Sequence, residues 1–473
     1  MVFSSPIFLF YFLPVILLLC FLTRRHLAWQ NILLFVSSLV FYFWGEKEYA
    51  VLVLISILIN FTCGALISRY EDELMRKWML AIGLVLNLSI LIYFKYFNFF
   101  THELLLYFNI GQSVDAVDKI HLPLGISFFT FHGITYIVDI YRREATASKS
   151  LMNMSLYTLF FPQLIAGPII RYTDIQQQLS MRFASNYRIN QGVKRFIIGL
   201  AKKIIIANTL GRISDTIFKL EIADLSPQLI WFGIFIFALQ LYYDFSGYSD
   251  MAIGLAKMVG FDFSENFNFP YSARSLTDLW KRWHISLTTF FRNYVYIPLG
   301  GNKRGRGRTY FNLLFVFFLT GLWHGPSWNC ILWGLFTGAF LLLEKLFLGK
   351  WLSRMPYLIA NLFTFFVFIT ALLIFKIEQG EHLADVLSKA FFLQTESNQL
   401  YFPAYYLTPD VITVMVIAVL FAYPVHLSVW YQQLHGVLQK IPLAKDAIYI
   451  FLFMVTLSMM ASSTYNPFIY FKF

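Results

Sequence analysis

Charge is what this chain has least of. Only 13% of its 473 residues are Asp, Glu, Lys or Arg, about half the share found in soluble domains, which excludes an ordinary water-facing fold. Cysteine is scarce too: Cys20, Cys63 and Cys330 are odd in number, sit in apolar runs and show no ligand spacing, so neither a disulfide framework nor a structural zinc site is indicated. A G-x-S-x-G nucleophile elbow, a Walker loop and an H-E-x-x-H metal motif are all missing. Their absence removes the serine-hydrolase, nucleotide-hydrolase and zinc-protease readings, and no metal ligands are assigned. No fixed-period repeat, low-complexity linker or soluble domain interrupts the chain.

What remains is apolar. Hydrophobic residues make up 58% of the chain and aromatics 19%, with a mean hydropathy of +0.62. Such a composition predicts an all-α polytopic protein whose partner is a lipid bilayer. A crossing needs about 20 apolar residues. Candidate segments are 7–22, 30–44, 49–67, 78–96, 122–140, 151–170, 192–210, 229–256, 311–324, 328–348, 357–376, 410–430 and 447–461, some too short or too broken to cross fully. The first has no basic leader and no small-residue cleavage site, so it reads as a retained span rather than a signal peptide.

The net charge of +11 resides in short loops between these segments. Basic loops at Arg24-Arg25, Arg69 to Lys77 and Arg142 to Lys149 are expected in the cytoplasm, with the N-terminus outside. The same rule accounts for the positive charge without a nucleic-acid partner.

Helix breakers recur in the middle of the chain, at Pro123, Gly125, Pro162, Gly167-Pro168, Pro298, Gly300-Gly301 and Gly325-Pro326. Lipid cannot satisfy freed backbone groups, so such breaks require surrounding protein or a water-filled cavity. The expected architecture is a core of short, broken or re-entrant helices flanked by plainer ones. Residues 1–473 form one domain in this reading: N-terminal helices over 1–121, a core over 122–348 that holds the candidate catalytic residues named below, and C-terminal helices over 349–473.

Three polar constellations stand out in the apolar middle. The run "QLYYDFSGYSDMAIGLA" carries Gln240, Tyr243, Asp244, Ser246 and Asp250; buried acids there face a cavity or a partner, and a packing or salt-bridge role weighs equally, since Ser246, Gly247 and Ser249 suit a close helix contact. In "SLTDLWKRWHISLTTFFRNYVYIPLGGNKRGRGR", Ser275 and Asp278 form a capping-box pattern. A continuous helix from there would align Trp280, His284, Leu287 and Phe291 on one face, with Lys281, Arg282 and Arg292 reaching headgroups or a phosphate. Lys303, Arg304, Arg306 and Arg308 read first as a cytoplasmic basic loop.

The third is "FLTGLWHGPSWNCILWG", where His324 precedes a Gly325-Pro326 break, with Trp323 before it and Trp328 expected one turn on. Gly321 with Gly325, and Gly334 with Gly338, are small-xxx-small pairs. A packing histidine is one reading. At membrane depth a functional imidazole is the stronger one, for instance a general base that takes a hydroxyl proton, a step contributing roughly 100- to 10,000-fold.

The stretches "DLWKRWHISLTTFFRNYVYIPLGGN", "GLWHGPSWNCILWG", "QLYYDFSGYSDMAIGLAKMVGF" and "NPFIYFKF" resemble the membrane-bound O-acyltransferase family, in the branch of the alginate O-acetylation and peptidoglycan O-acetyltransferase membrane proteins. The similarity runs along nearly the whole chain. It implies a ring of transmembrane helices around a thin centre crossed by a funnel or tunnel. It further implies catalytic residues at His324, the family's membrane histidine, as general base or acyl relay, and at His284, its more variable polar position, as an orienting or second proton-handling group; no tightly bound cofactor; and acetyl-CoA as donor. Asp278, Trp280, Arg282, Trp283, Arg292, Asn293, Asn302, Trp323 and Trp328 would shape the donor entrance or tunnel, joined by Gln240, Tyr243, Asp244 and Ser246. The implied setting is the bacterial inner membrane, with a periplasmic serine-esterase-like acetyltransferase as partner and a polysaccharide acceptor, an alginate-like exopolysaccharide or peptidoglycan. Two other readings stay open: a transporter of polysaccharide or lipid-linked sugar that uses the broken helices as a pathway, and a scaffold that only positions a partner enzyme.

Overall fold

The computed structural model describes residues 1–107, 120–377, 380–391, 401–424, 432, 442–463 and 465–467. Positions 108–119 and residues 468–473 of "NPFIYFKF" lie outside the described residues. Every regular element among the described residues is helical. In chain order these are α1 (Phe8–Leu22), α2 (Leu27–Gly45), α3 (Ala50–Arg69), α4 (Glu73–Tyr107), α5 (Ile126–Tyr141), α6 (Leu151–Leu159), α7 (Phe161–Leu164), α8 (Tyr172–Ser180), α9 (Asn186–Ala201) and α10 (Asn208–Ile217). They continue as α11 (Pro227–Met258), α12 (Leu276–Arg282), α13 (Ile285–Phe291), α14 (Arg306–His324), α15 (Trp328–Leu343), α16 (Gly349–Arg354), α17 (Tyr357–Lys376), α18 (Gly380–Ala390), α19 (Pro409–Phe421) and α20 (Pro442–Ser462). Among the described residues, six stretches are long and apolar enough to cross a membrane: Leu27–Gly45, Ala50–Arg69, Glu73–Leu104, Pro227–Met258, Trp328–Arg354 and Tyr357–Lys376. The chain is an all-α, polytopic membrane protein.

Residues group into two compact units, 1–196 with 251–264 and 197–250 with 265–473. In the first, α5 is buried almost along its whole length, its polar Ser127, Thr130, His132, Thr135 and Asp139 included. Asn60 of α3 and Asn87 of α4 exchange amide hydrogen bonds of 3.0 and 2.9 Å, which satisfies two polar groups that the apolar interior would otherwise penalise. The segment 151–170 does not form one span. Ser150 caps α6 by accepting from the Asn153 N–H, the chain leaves helical geometry at Phe160 (φ −51°, ψ 113°) just ahead of the Phe161-Pro162 pair, and α7 is a single turn. Nine residues of helix rise only about 14 Å, against a hydrocarbon core of about 30 Å.

In the second unit, α11 packs within a core that includes Ile236, Leu239, Leu276, Phe368 and Leu372. Gly247 fits where a Cβ would lie 2.7 Å from the Gly199 carbonyl oxygen, so the expected close helix contact exists. Antiparallel α14 and α15 form a hairpin whose crossing is Gly321 against Gly334: a Cβ on Gly321 would stand 2.4 Å from the Cys330 carbonyl oxygen, and one on Gly334 2.4 Å from that of Phe317. The small-residue contact therefore joins two helices through Gly321 and Gly334, with Gly338 beside Phe317, while Gly325 serves the turn. All three cysteines are buried free thiols.

Candidate functional site

The Gly325-Pro326 break makes a corner. Residues preceding proline avoid the helical region, and Gly325 is extended (φ −176°, ψ 153°), ending α14 at His324. Ser327 then starts α15 by accepting from the Cys330 N–H at 3.3 Å. The corner leaves His324 at the last residue of α14, 8% exposed, with its ring edge-on to Trp333 (centroids 4.7 Å apart, 84°) and Phe375 (5.4 Å, 82°) and packed on Trp323 at 4.8 Å.

The second histidine sits at another break, and here the continuous-helix expectation fails. His284 adopts φ 43°, ψ 56° and separates α12 from α13, so Trp280, His284, Leu287 and Phe291 do not share one helical face. A non-glycine residue in this left-handed region costs on the order of 1–3 kcal/mol and persists where its surroundings hold it. Those surroundings are residues 266–268: the Asn268 N–H donates to the Arg282 carbonyl and the Ile285 N–H to the Asn266 carbonyl, each at 2.9 Å, clamping both sides of the break. The Asn266 side-chain oxygen lies 3.1 Å from His284 Nδ1, and its amide N–H donates to Ser249 Oγ at 3.0 Å. Phe245 meets the His284 ring edge-on at 4.6 Å, and Trp323 lies 6.0 Å from it on the other side.

Both histidines line one cavity of about 160 Å³, walled also by Trp280, Trp283, Leu287, Val316 and Thr320. Trp280, Thr288, Arg292, Tyr296, Leu313 and Phe317 line this cavity and also a cleft of about 1160 Å³. The cleft carries Arg274, Lys281, Arg292 and Lys345 against Asp278 and Glu344. On the far side of His324, a void of about 20 Å³ is bounded by Trp280, Trp283, Trp333 and Phe375, the size of one water. Trp280 thus borders all three spaces, and the indole N–H groups of Trp280 and Trp333 have no hydrogen-bond partner among the described residues.

Around the cleft, Ser275 caps α12 by accepting from the Asp278 N–H at 3.1 Å, as the capping-box pattern predicts. Glu344 at the end of α15 adds a second cap, accepting from the Leu276 and Thr277 N–H groups at 2.5 and 3.0 Å and from Thr277 Oγ1 at 2.7 Å. A carboxylate at a helix N-terminus is favourably placed, and this one ties α12, which carries Trp280, to α15. Asn302 lines the cleft and accepts from Tyr296 Oη and, at 3.0 Å, from Lys345 Nζ.

Several expected lining residues lie elsewhere. Trp328 is 56% exposed and turned out of the site, because α14 stops at His324 and Trp328 begins α15 instead of lying one turn farther on the same helix; Trp333 takes the place against His324. Arg282 is paired with Asp278 at 2.9 Å and lies outside the cleft. Asn293 follows Arg292 in a helical turn and is half-buried outside both spaces. On α11, Asp244 and Lys203 form a buried ion pair at 2.7 Å, Tyr243 donates to the Ala418 carbonyl at 2.7 Å, Gln240 packs on Gly211, and Ser246 is buried beside the Gly247 contact. None of these four lines the histidine cavity. Lys303, Arg304, Arg306 and Arg308 are exposed and outside the cleft. Asn266, Glu344, Trp333 and Phe375 escaped the sequence reading; a hairpin drawn through Gly325-Pro326 would have brought Trp333 back onto His324.

Residues 78–377 match the model of the MBOAT, membrane-bound O-acyltransferase family. The chain is 35% identical over its full length, and the relative's, to a protein of Pseudomonas putida named probable alginate O-acetylase AlgI. Identity is 41% to the Azotobacter vinelandii protein of the same name, over 73% of this chain and 69% of the relative. A Helicobacter pylori peptidoglycan O-acetyltransferase is 34% identical over 82% of this chain and 79% of its own length. The helical membrane fold, the two histidine motifs and this extent of similarity converge: the chain belongs to the membrane-bound O-acyltransferase family, and it is an acyltransferase.

Proposed function

We propose that this protein is an O-acetyltransferase of the bacterial inner membrane that takes an acetyl group from acetyl-CoA on the cytoplasmic side and passes it outward for O-acetylation of a cell-surface polysaccharide. What carries the reading is one observation: the cavity holding His284 and His324 shares six wall residues with a large basic cleft. Arg274, Lys281, Arg292 and Lys345 suit the phosphates of a carrier, and the narrower, mostly apolar cavity suits an acetyl thioester. His324 acts as general base. It removes the proton of an acceptor hydroxyl as the hydroxyl oxygen bonds to the acetyl carbon; the carbon–sulfur bond then breaks, and the proton leaves with the CoA thiolate. His284 assists as a second proton-handling group, and the Trp280 indole, on the wall of both the cavity and the cleft, offers an N–H donor to the acetyl oxygen.

The acceptor is a hydroxyl reaching the site from the outer side of a tunnel. We assign it to a periplasmic serine-esterase-like partner, which completes transfer to the glycan. Relatives named for alginate and for peptidoglycan acetylation support a polysaccharide as final acceptor and leave both glycans as candidates. Purified protein given acetyl-labelled acetyl-CoA and periplasmic extract should release CoA and move label to a protein or glycan hydroxyl. CoA released at the rate of a protein-free control, with no label moved, would contradict the reading.

A further inference from the structure

The hydrogen bonds around Asn266 determine which nitrogen of His284 carries its proton. A backbone N–H only donates, and that of Ser286 points at the Asn266 side chain from 3.2 Å, so the atom facing it is the amide oxygen. The amide nitrogen then faces Ser249 Oγ at 3.0 Å, a hydroxyl that can accept from it; the flipped side chain is opposed by the Ser286 N–H, which would meet a second donor. That same oxygen lies 3.1 Å from Nδ1 of His284. Two acceptors cannot share this distance, so Nδ1 bears a hydrogen. Ser286 Oγ offers no alternative proton to Nδ1, because it is 3.5 Å from that nitrogen and 2.9 Å from the Asn266 oxygen. Asn266 is fully buried, which shields the arrangement from competing water.

We infer that Asn266 is a positioning residue that holds neutral His284 in its Nδ1–H form, leaving Nε2, across the ring from Asn266, as the proton-accepting nitrogen of the cavity. An imidazole with both nitrogens free to exchange roles would spend part of its time with Nε2 protonated and unable to accept. The charged or titratable groups that share the cavity are His324 from α14 and, after α13, Arg292 and Tyr296. The tautomer stands on geometry alone; its kinetic consequence rests on the acyl-transfer reading above.

Nitrogen-15 NMR of histidine-labelled protein in lipid nanodiscs, well above the free imidazole pKa of about 6.5, reads the tautomer directly, with the His284 signals identified by their loss in His284→Gln. The expected result is a protonated Nδ1 and an unprotonated Nε2. Asn266→Ala should lower kcat for acetyl transfer about 10- to 100-fold, the usual toll for removing an outer partner that orients an imidazole, with KM for acetyl-CoA unchanged. Asn266→Asp, which keeps an acceptor oxygen for the same three donors, should recover most of the rate. A wild-type His284 protonated on Nε2, or wild-type turnover in Asn266→Ala, overturns the inference. Failure of the acyl-transfer reading is distinguishable, since it shows as no acetyl transfer by the wild-type protein itself.

Discussion

His324 ends α14 with its ring edge-on to Trp333, centroids 4.7 Å apart, although the two residues lie on opposite arms of a helical hairpin. The indole thereby holds the imidazole from the side of α15. Such pairs contribute about 0.5–1.5 kcal/mol beyond burial. Trp333→Phe should therefore keep kcat within about threefold, whereas Trp333→Ala should lower it about tenfold or more and also cost about 3–5 kcal/mol of stability through the void it leaves. Steady-state acetyl transfer and thermal unfolding in detergent check the two effects separately.

The hairpin depends on backbone contact at Gly321 and Gly334. A side chain on Gly334 would meet the Phe317 carbonyl oxygen at 2.4 Å, and the arms would have to part. Gly334→Leu should destabilise the protein by about 1–3 kcal/mol or more and lower activity by displacing His324. Gly307→Ala, at a position with open space around it, should leave both unchanged. Parallel melting and activity assays of the two variants provide the test.

The Lys203–Asp244 pair is a structural element by its burial and its 2.7 Å contact. Removing one partner strands the other charge in an apolar setting, a loss of about 3–5 kcal/mol. Lys203→Met should sharply reduce folded protein, while the double variant Lys203→Met with Asp244→Leu should recover much of it. Yield of monodisperse protein reports the comparison, and catalytic rate per folded molecule should stay near wild type in the double variant.

Arg292 borders both the cleft and the histidine cavity, and the proposed function has it meet the carrier's phosphates. A charge-assisted hydrogen bond contributes about 1.5–3 kcal/mol. Arg292→Ala should raise KM for acetyl-CoA about 10- to 100-fold with a smaller change in kcat. Arg304→Ala, outside the cleft, should leave KM unchanged. Kinetics with varied acetyl-CoA separate them.

Much of this arrangement is legible in the sequence because lipid enforces it. Apolar runs of membrane length gave α2, α3, α4, α11, α15 and α17, and Ser275 with Asp278 marked the start of α12. His324 stood out because an imidazole beside a helix break is costly at membrane depth. The rest depends on contacts distant in the chain. Nothing local announces the interruption at His284, since the clamp comes from Asn266 and Asn268 in a separate loop. Asp244 looks the same in sequence whether it lines a cavity or pairs with Lys203, and only their proximity decides. Trp328 and Trp333 differ by five positions, and the corner at Gly325-Pro326 turned the first outward and the second onto His324.

The central claim, acyl transfer through His324, is tested most directly by ester-linked acetate on the surface glycan of cells carrying His324→Ala as the sole copy, with membrane insertion and thermal stability of the variant matched to wild type. The account predicts that acetate falls to the level of cells lacking the protein. Wild-type acetylation by the folded, inserted variant would contradict it.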